Sequence, residues 1–197
     1  MQEEIRQQLI EGVELRQQVA RTLGPDIEAA ARMIIHALRR QGTVALCGNG
    51  GSAADAQHLA GELVGRFELD RPAYGAIALT TDTSILTAIG NDFGFDEVFA
   101  RQVEGLLRPG DVLIVATTSG NSPNCIKAVE AARDRGVTSI GMTGQGGGRL
   151  AQLCDLCLSV PHTVTARVQE IHITIGHIIC GLVEKALVSD MESANDA

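Results

Sequence analysis

The sequence has few aromatic residues, and this shortage excludes one class of partner. Phe, Tyr and Trp together make up 3% of the 197 residues, and Trp is absent. Proteins that hold single-stranded nucleic acid depend on aromatic side chains for base stacking, so we expect no nucleic-acid partner. No apolar run approaches the roughly 20 residues of a membrane-spanning helix, so we expect no membrane segment. The polar, acidic N-terminus does not resemble a signal peptide.

Positive charge is also scarce. The chain carries 16 basic against 24 acidic residues, a formal net charge of -8, which argues against general affinity for DNA or anionic membranes. An odd number of cysteines without a secretion signal predicts reduced thiols and a cytoplasmic location. The cysteines are Cys47, Cys125, Cys154, Cys157 and Cys180.

The pair Cys154 and Cys157 forms a single CxxC motif. A structural zinc knuckle needs a second such pair, which the sequence lacks. We therefore predict that this motif lies at the start of a buried strand, with a redox pair as the alternative.

What the sequence does contain is a regular alternation of short apolar segments and helical patterns, with 45% hydrophobic residues. This alternation predicts an α/β fold with a parallel sheet covered on both faces, in one domain spanning residues 1–197. The expected strand order is 2-1-3-4-5. The predicted strands are 43–47, 74–79, 111–116, 137–142 and 155–160.

Two amphipathic helices are predicted within residues 1–40, before the first strand. They carry more apolar surface than a five-stranded core requires. Oligomerisation and simple capping of the sheet both explain this surplus, and the sequence favours neither. The polar segment 189–197 is predicted to be a frayed tail.

Two loops rich in glycine and hydroxyl groups follow the first and third predicted strands, at 48–52 and 117–122. In the expected strand order these strands are neighbours, and ligands bind at the switch point between them. Each loop opens a helix: Ser52 with Asp55 matches a capping box, and Ser122 followed by proline matches an N-cap. Ordinary turns remain the alternative for either loop alone.

The chemistry of these loops suits a phosphate monoester. Helix N-termini attract phosphate, and the hydroxyl groups of Ser52, Thr117, Ser119 and Ser122 can donate hydrogen bonds to its oxygens. Neither loop contains Lys or Arg, so this is not a Walker loop for a triphosphate. The dinucleotide motif GxGxxA also matches at 48–53, but it needs an acid at the end of the next strand, and Asp82 comes too late.

Groups for proton chemistry lie on the helix after the first loop. His58 and Glu62 are four residues apart and share one helix face, with Asp55 on the same side. A carboxylate beside a sugar can act as a general base. A His–Glu pair also makes half of a metal site, and a solvated surface pair is the alternative.

The last predicted helix offers further polar groups. His172 and His177 point about 140° apart, so they do not easily share one site. Gln169 and His177 are about 80° apart and can do so. The geometry therefore favours Gln169 with His177.

Five motifs together carry a family resemblance. They are CGNGGSAADAQHLAGELVGRF at 47–67, IGNDFGFDEVFARQVE at 89–104, TTSGNS at 117–122, TGQGGG at 143–148 and RVQEIHITIGH at 167–177. In combination they resemble the sugar isomerase (SIS) domain family, and within it the phosphoheptose isomerase family. The resemblance implies a flavodoxin-like three-layer α/β/α sandwich with N-terminal helices. It also implies a homotetramer with active sites at subunit contacts.

The resemblance implies an activity as well. Sedoheptulose 7-phosphate would be isomerised to D-glycero-D-manno-heptose 7-phosphate through an enediol, the first step of ADP-heptose synthesis for the lipopolysaccharide core. Glu62 and His177 would be the catalytic acid–base pair. Zinc would be held by His58, Glu62, Gln169 and His177. The implied substrate contacts are Asn49, Gly50, Gly51, Ser52, Glu62, Asn91, Asp92, Thr117, Thr118, Ser119, Ser122 and Gln169.

A non-catalytic relative with the same fold is the alternative. SIS tetramers that bind the DnaA replication initiator share these loops but lack the isomerase Glu and His, both of which this chain keeps as Glu62 and His177. The stretch 79–83 nevertheless resembles that binding family. Ala166 stands where some isomerases carry an Asp, so any help from that Asp must come from another group here.

Overall fold

The computed structural model describes residues 1–195. The helices are α1 (Gln2–Thr22), α2 (Gly24–Arg39), α3 (Gly51–Val64), α4 (Thr83–Asp92), α5 (Ala100–Leu106), α6 (Pro123–Asp134) and α7 (Thr165–Asn195). The strands are β1 (Val44–Gly48), β2 (Ala76–Ala78), β3 (Val112–Thr117), β4 (Thr138–Thr143) and β5 (Leu156–Ser159).

The five strands form one parallel sheet in the order β2-β1-β3-β4-β5, which confirms the predicted order and fold class. Successive side chains of a strand point to opposite faces of a sheet. In β1, Val44 and Leu46 pack with α2, α3 and α7, whereas Ala45 and Cys47 pack with α5 and α6. The two hydrophobic cores therefore lie on opposite faces of the sheet, as a three-layer sandwich requires.

Four strands match their predicted bounds within one residue, but β2 is shorter than predicted, beginning two residues later and ending one residue earlier. It pairs with β1 on one side only, over Ala76–Ala78. Tyr74, expected in this strand, lies outside it because its N–H bonds to the carbonyl of Leu63 and its ring lies 3.9 Å from the guanidinium of Arg71. These contacts take the chain out of the sheet before the strand begins.

The expected capping box at the start of α3 is wrong. The N-cap is Gly50, whose φ of 56° lies in the left-handed region that favours glycine. Ser52 therefore falls inside the first turn, and the carboxylate of Asp55 turns away from the helix end to bond Gln169. Ser122 is the N-cap of α6, as predicted.

Most of the predicted tail belongs to the last helix. Helix α7 continues through residue 189 to Asn195. An ion pair between Asp190 and Arg39, at 2.8 Å, ties this last part of α7 to α2. Residues 196–197, the rest of the predicted tail, lie outside the described residues.

Helix α7 also corrects the expectation about apolar runs. It is long and apolar enough to cross a membrane by length and composition alone. Half of its most apolar stretch is buried within the fold, where it packs on α2 and α3. This burial is typical of the core helix of a globular domain.

The cysteines are all free thiols. Cys157 lies in β5, and Cys154 lies two residues before the first residue of that strand, as predicted for the CxxC motif. Burial raises the pKa of Cys154 to about 12. A thiol with so high a pKa stays protonated near neutral pH and is a poor nucleophile.

A buried ion pair joins α7 to the segment that follows α3. Glu184 and Arg71 meet at 3.0 Å, and their side chains are 2% and 1% exposed. The carboxylate of Glu184 also accepts the backbone N–H groups of residues 67, 68 and 69 at 2.8–2.9 Å. Burial raises the pKa of Glu184, but the N–H bonds and Arg71 outweigh it and leave the pKa lowered. The pair thus fixes segment 65–72 against α7.

His172 is buried on α7, where its Nε2 lies 3.1 Å from the carbonyl oxygen of Thr143 at the end of β4. A carbonyl only accepts, so Nε2 carries the proton and Nδ1 has none. Burial lowers the pKa of His172 below 6.5, and the contact with Thr143 offsets only part of that change.

The lowered pKa predicts a pH dependence of stability. The unfolded chain binds a proton at His172 more tightly than the folded chain, so this residue reduces stability as pH falls below about 6.5. His172→Gln keeps an amide that can donate to Thr143 and removes the titration. We expect the variant to lose less unfolding free energy than the wild type between about pH 7.5 and 5.5, by up to about 1.4 kcal/mol. Urea unfolding at both pH values measures this difference. Equal losses of unfolding free energy in the wild type and the variant would contradict the lowered pKa of His172.

Candidate active site

A cleft of about 150 Å³ lies at the carboxyl ends of β1 and β3, where the two predicted loops meet. Because β1 and β3 pair directly, the loops after them face each other across this cleft. The expected switch-point location is therefore where the structure forms a cleft. Its lining comprises Asn49, Gly51, Ser52, Ala116, Thr117, Thr118, Ser119, Ser122, Thr165 and Gln169.

The first loop is tied to α6 by a pair of amides. Asn49 donates to the side-chain oxygen of Asn124 at 2.9 Å, and Asn124 donates back to Asn49 at 2.8 Å. Gly48 lets this loop pass close to β3, because a Cβ there would come within 2.7 Å of the carbonyl oxygen of Ala116. Both contacts hold the loop at the cleft.

The second loop is held by its own hydroxyl groups and by a glycine contact. The hydroxyl of Thr117 lies 2.9 Å from that of Ser122 and 3.3 Å from that of Ser119. Gly120 has a φ of 66°, and a Cβ there would come within 2.1 Å of the carbonyl oxygen of Gly147. Hydroxyl groups that bond one another in this way can turn to an incoming phosphate without large movement.

Beside the cleft, three potential ligands converge. Nε2 of His58 lies 3.1 Å from Oε1 of Glu62 and 2.9 Å from Nε2 of His177. The phenyl ring of Phe67 stacks on the imidazole of His177, with ring centres 5.7 Å apart. The imidazole of His177 is thus held by contacts with both Phe67 and His58.

This cluster has the chemistry of a zinc site. The ligand atoms of His58, Glu62 and His177 lie within 4.8 Å of one another. Two imidazole nitrogens and a carboxylate oxygen are ligands that zinc prefers, and three protein ligands are typical of catalytic zinc. The residues present therefore fit a zinc ion.

Gln169, the fourth expected ligand, is held by a neighbour. Its Nε2 donates to both carboxylate oxygens of Asp55, at 2.8 and 2.6 Å. Burial raises the pKa of Asp55, while the bond from Gln169 and the nearby His58 and His177 oppose that rise. Because Gln169 lines the cleft and Asp55 lies on the same helix as His58 and Glu62, this pair links the cleft to the helix that carries two of the three cluster residues.

Two expected substrate contacts lie elsewhere in the single chain. Asn91 and Asp92 occupy the exposed C-terminal end of α4, outside the cleft, where Asn91 donates to Asp92 at 2.8 Å. Gly50 caps α3 beside the cleft.

Comparison with known proteins identifies the family to which this chain belongs. Residues 10–144 match the model of the SIS domain. A phosphoheptose isomerase of Rhodospirillum rubrum is 58% identical over 165 residues, which cover 84% of this chain and 88% of that protein. The chain belongs to the phosphoheptose isomerase family of SIS domains.

Other members of this family agree over most of their length. A phosphoheptose isomerase of Akkermansia muciniphila is 49% identical over 187 residues, 95% of this chain and 98% of that protein. The solved phosphoheptose isomerase of Neisseria gonorrhoeae is 45% identical with a TM-score of 0.89, covering 93% of this chain and 98% of that one. The corresponding structure from Francisella tularensis has a TM-score of 0.90 at 38% identity, over 93% and 97% of the two chains.

The structure of this SIS domain adds residues that the sequence reasoning did not assign to the site. Asn124 anchors the first loop, Thr165 lines the cleft, and Asp55 holds Gln169. The sequence did carry a signal for Asp55, because it shares a helix face with His58 and Glu62. Asn124 carried no comparable signal, because its partner Asn49 is 75 residues away, and Thr165 carried none, because most of the cleft comes from distant parts of the chain.

Proposed function

We propose that the chain isomerises sedoheptulose 7-phosphate to D-glycero-D-manno-heptose 7-phosphate. The observation that carries this proposal is the convergence of Glu62 and His177 through His58, next to a hydroxyl-lined cleft. The names of the relatives at 49–58% identity support the same activity.

The phosphate would bind among the hydroxyl groups of the cleft. Thr117, Ser119 and Ser122 come from the second loop, and Ser52 comes from the first turn of α3. The N-terminal ends of α3 and α6 add their positive dipole ends, which favour an anion. Asn49, Gly50, Gly51, Thr118 and Gln169 would contact the sugar.

The reaction needs two proton movements that balance. Glu62 would take a proton from C1 of the ketose and deliver it to C2, which passes through an enediol. His177 would carry the hydroxyl proton from O1 to O2. The side chain of Glu62 is 21% exposed, so its carboxylate is sheltered yet reachable.

Zinc would be held by His58, Glu62, Gln169 and His177. When bound, zinc polarises a carbonyl oxygen as a Lewis acid. The stacking of Phe67 keeps His177 oriented, and Asp55 keeps Gln169 in place.

We also propose a homotetramer in which Asn91 and Asp92 reach a cleft of another subunit. Phe93 and Phe95, next to them, are 55% and 62% exposed, and large exposed apolar groups mark contact surfaces. The N-terminal helices within residues 1–40 add exposed Ile5, Leu9 and Val13. Analytical ultracentrifugation should show four chains for the wild type and fewer for a double variant, Phe93→Ser with Phe95→Ser. A wild-type monomer would refute this assembly.

The proposed setting is the cytoplasm. Polar sugar phosphates occur there, and the product would enter ADP-heptose synthesis for the lipopolysaccharide core. Neither nucleic acid nor membrane is a proposed partner, given the net charge of -8.

Isotope exchange tests the proposed activity most directly. Incubation with sedoheptulose 7-phosphate in heavy water should place deuterium at C2 of the aldose product, because the carboxylate proton exchanges with solvent. Mass spectrometry and NMR read out both turnover and label. Absence of both turnover and exchange would refute the isomerase and favour a non-catalytic SIS protein that binds the DnaA initiator.

A further inference from the structure

Asp55 holds the side chain of Gln169 through two hydrogen bonds. Its two carboxylate oxygens lie 2.8 and 2.6 Å from Nε2 of Gln169. Gly51, one turn earlier on α3, lies against the stem of the same side chain, since a Cβ there would come within 3.7 Å of Cγ of Gln169. The amide of Gln169 is therefore fixed both in place and in rotation.

The chemistry of a carboxylate decides which way the amide faces. An ionised carboxylate only accepts hydrogen bonds, so the nitrogen of Gln169 must face Asp55. Nitrogen and oxygen leave Cδ in different directions, so the oxygen points away from Asp55. Asp55 borders the buried side around Leu46 and His172, whereas Gln169 lines the cleft. The oxygen of Gln169 is consequently the amide atom that Asp55 leaves free for another partner.

We propose that Asp55 is a positioning residue that presents the amide oxygen of Gln169 to the zinc site. This inference rests on the proposed function, which places zinc among His58, Glu62, Gln169 and His177. An amide oxygen can coordinate a divalent cation, whereas an amide nitrogen cannot. Without Asp55, the amide is free to rotate and present its nitrogen instead.

The charge of Asp55 supports the same role. Asp55 is an acidic side chain on the same helix as His58 and Glu62, and it is bonded to Gln169. A negative group behind the ligands favours a bound cation, and loss of such an outer partner typically lowers metal affinity 10–100-fold. Asp55 would thus act on zinc through Gln169 and through its charge.

Asp55→Asn tests the proposal, with zinc as the probe. The variant keeps the shape but can offer either an oxygen or an NH₂ group to Gln169. We expect zinc affinity to fall about 10–100-fold in competition with a chromophoric chelator. Asp134→Asn, which removes an exposed carboxylate at the end of α6, is the charge-matched control and should bind zinc as the wild type does.

The double variant D55N/Q169E separates orientation from simple loss of structure. The new amide at position 55 can donate to the new carboxylate at position 169, which leaves a second oxygen facing the site. We expect the double variant to bind zinc at least tenfold more tightly than Asp55→Asn does. Circular dichroism confirms that each variant is folded.

Two outcomes would overturn the proposal. One is wild-type zinc affinity in folded Asp55→Asn, and the other is a swap variant that binds zinc no better than the single variant. The titration needs no turnover, so it remains informative if the isotope experiment refutes the isomerase. A failure of zinc to bind the wild type, by contrast, would overturn the metal site and this inference together.

Discussion

Glu62→Gln should lower kcat for sedoheptulose 7-phosphate by about 10²–10⁴-fold, the range typical of a lost general base. The substitution keeps the size of the side chain and one oxygen, but an amide cannot accept the C1 proton. Since the phosphate is assigned to the loop hydroxyls, KM should change far less than kcat. Initial rates over a range of substrate concentrations measure both constants.

Controls separate the proton role of Glu62 from its role as a metal ligand. Rates are compared with and without saturating zinc, because weakened metal binding alone would be rescued by added zinc. Glu104→Gln, on the exposed side of α5, should retain the wild-type rate. A Glu62→Gln enzyme with normal kcat would show that another group moves the proton.

Glu184→Ala should be the most destabilising single change among those considered, at about 3–5 kcal/mol. It leaves the guanidinium of Arg71 buried and unpaired, and it removes the acceptor of three backbone N–H groups. For a chain of this size the melting temperature should fall by roughly 6–20 °C. Thermal unfolding followed by circular dichroism measures the shift.

The matched control lies on the same helix. Asp190 pairs with Arg39 at 2.8 Å, but these side chains are 46% and 52% exposed. Exposed pairs contribute about 0–1 kcal/mol, so Asp190→Ala should barely change the melting temperature. An equal fall in melting temperature for Glu184→Ala and Asp190→Ala would mean that burial does not set the strength of the Glu184–Arg71 pair.

The lowered pKa of Glu184 makes its contribution to stability depend on pH. The folded chain releases this proton more readily than the unfolded chain, so the stabilisation is complete above about pH 4.5. It is lost as pH falls through the folded-state pKa. The gap in stability between wild type and Glu184→Ala should therefore narrow in acid.

Much of the fold and the meeting of the two loops could be predicted from the sequence. Strand order follows from general rules for parallel sheets, and the loops after β1 and β3 must then share one edge. Helical periodicity likewise predicted that His58 and Glu62 face one way, and that Gln169 and His177 share a side of α7. These are regular, short-range consequences of backbone geometry.

The remaining features depend on contacts between distant residues. The turn of Asp55 towards Gln169 joins positions 114 residues apart, and local sequence favoured a capping box instead. Tyr74 leaves β2 because Arg71 and Leu63 hold it, which strand propensity does not encode. Asn91 and Asp92 resemble site residues in sequence, but a single chain leaves them on its surface.

The continuity of α7 has a consequence for how this chain can change in length. Gln169, His172, His177 and Glu184 sit on one unbroken helix, and their partners sit on three different segments. Each residue of a helix turns it by about 100°, so one inserted or deleted residue between any two of these positions would misalign everything beyond it. Substitutions can be absorbed one contact at a time, whereas insertions and deletions cannot. Within α7, length variation should therefore be confined to the stretch after Asp190, which itself pairs with Arg39 of α2.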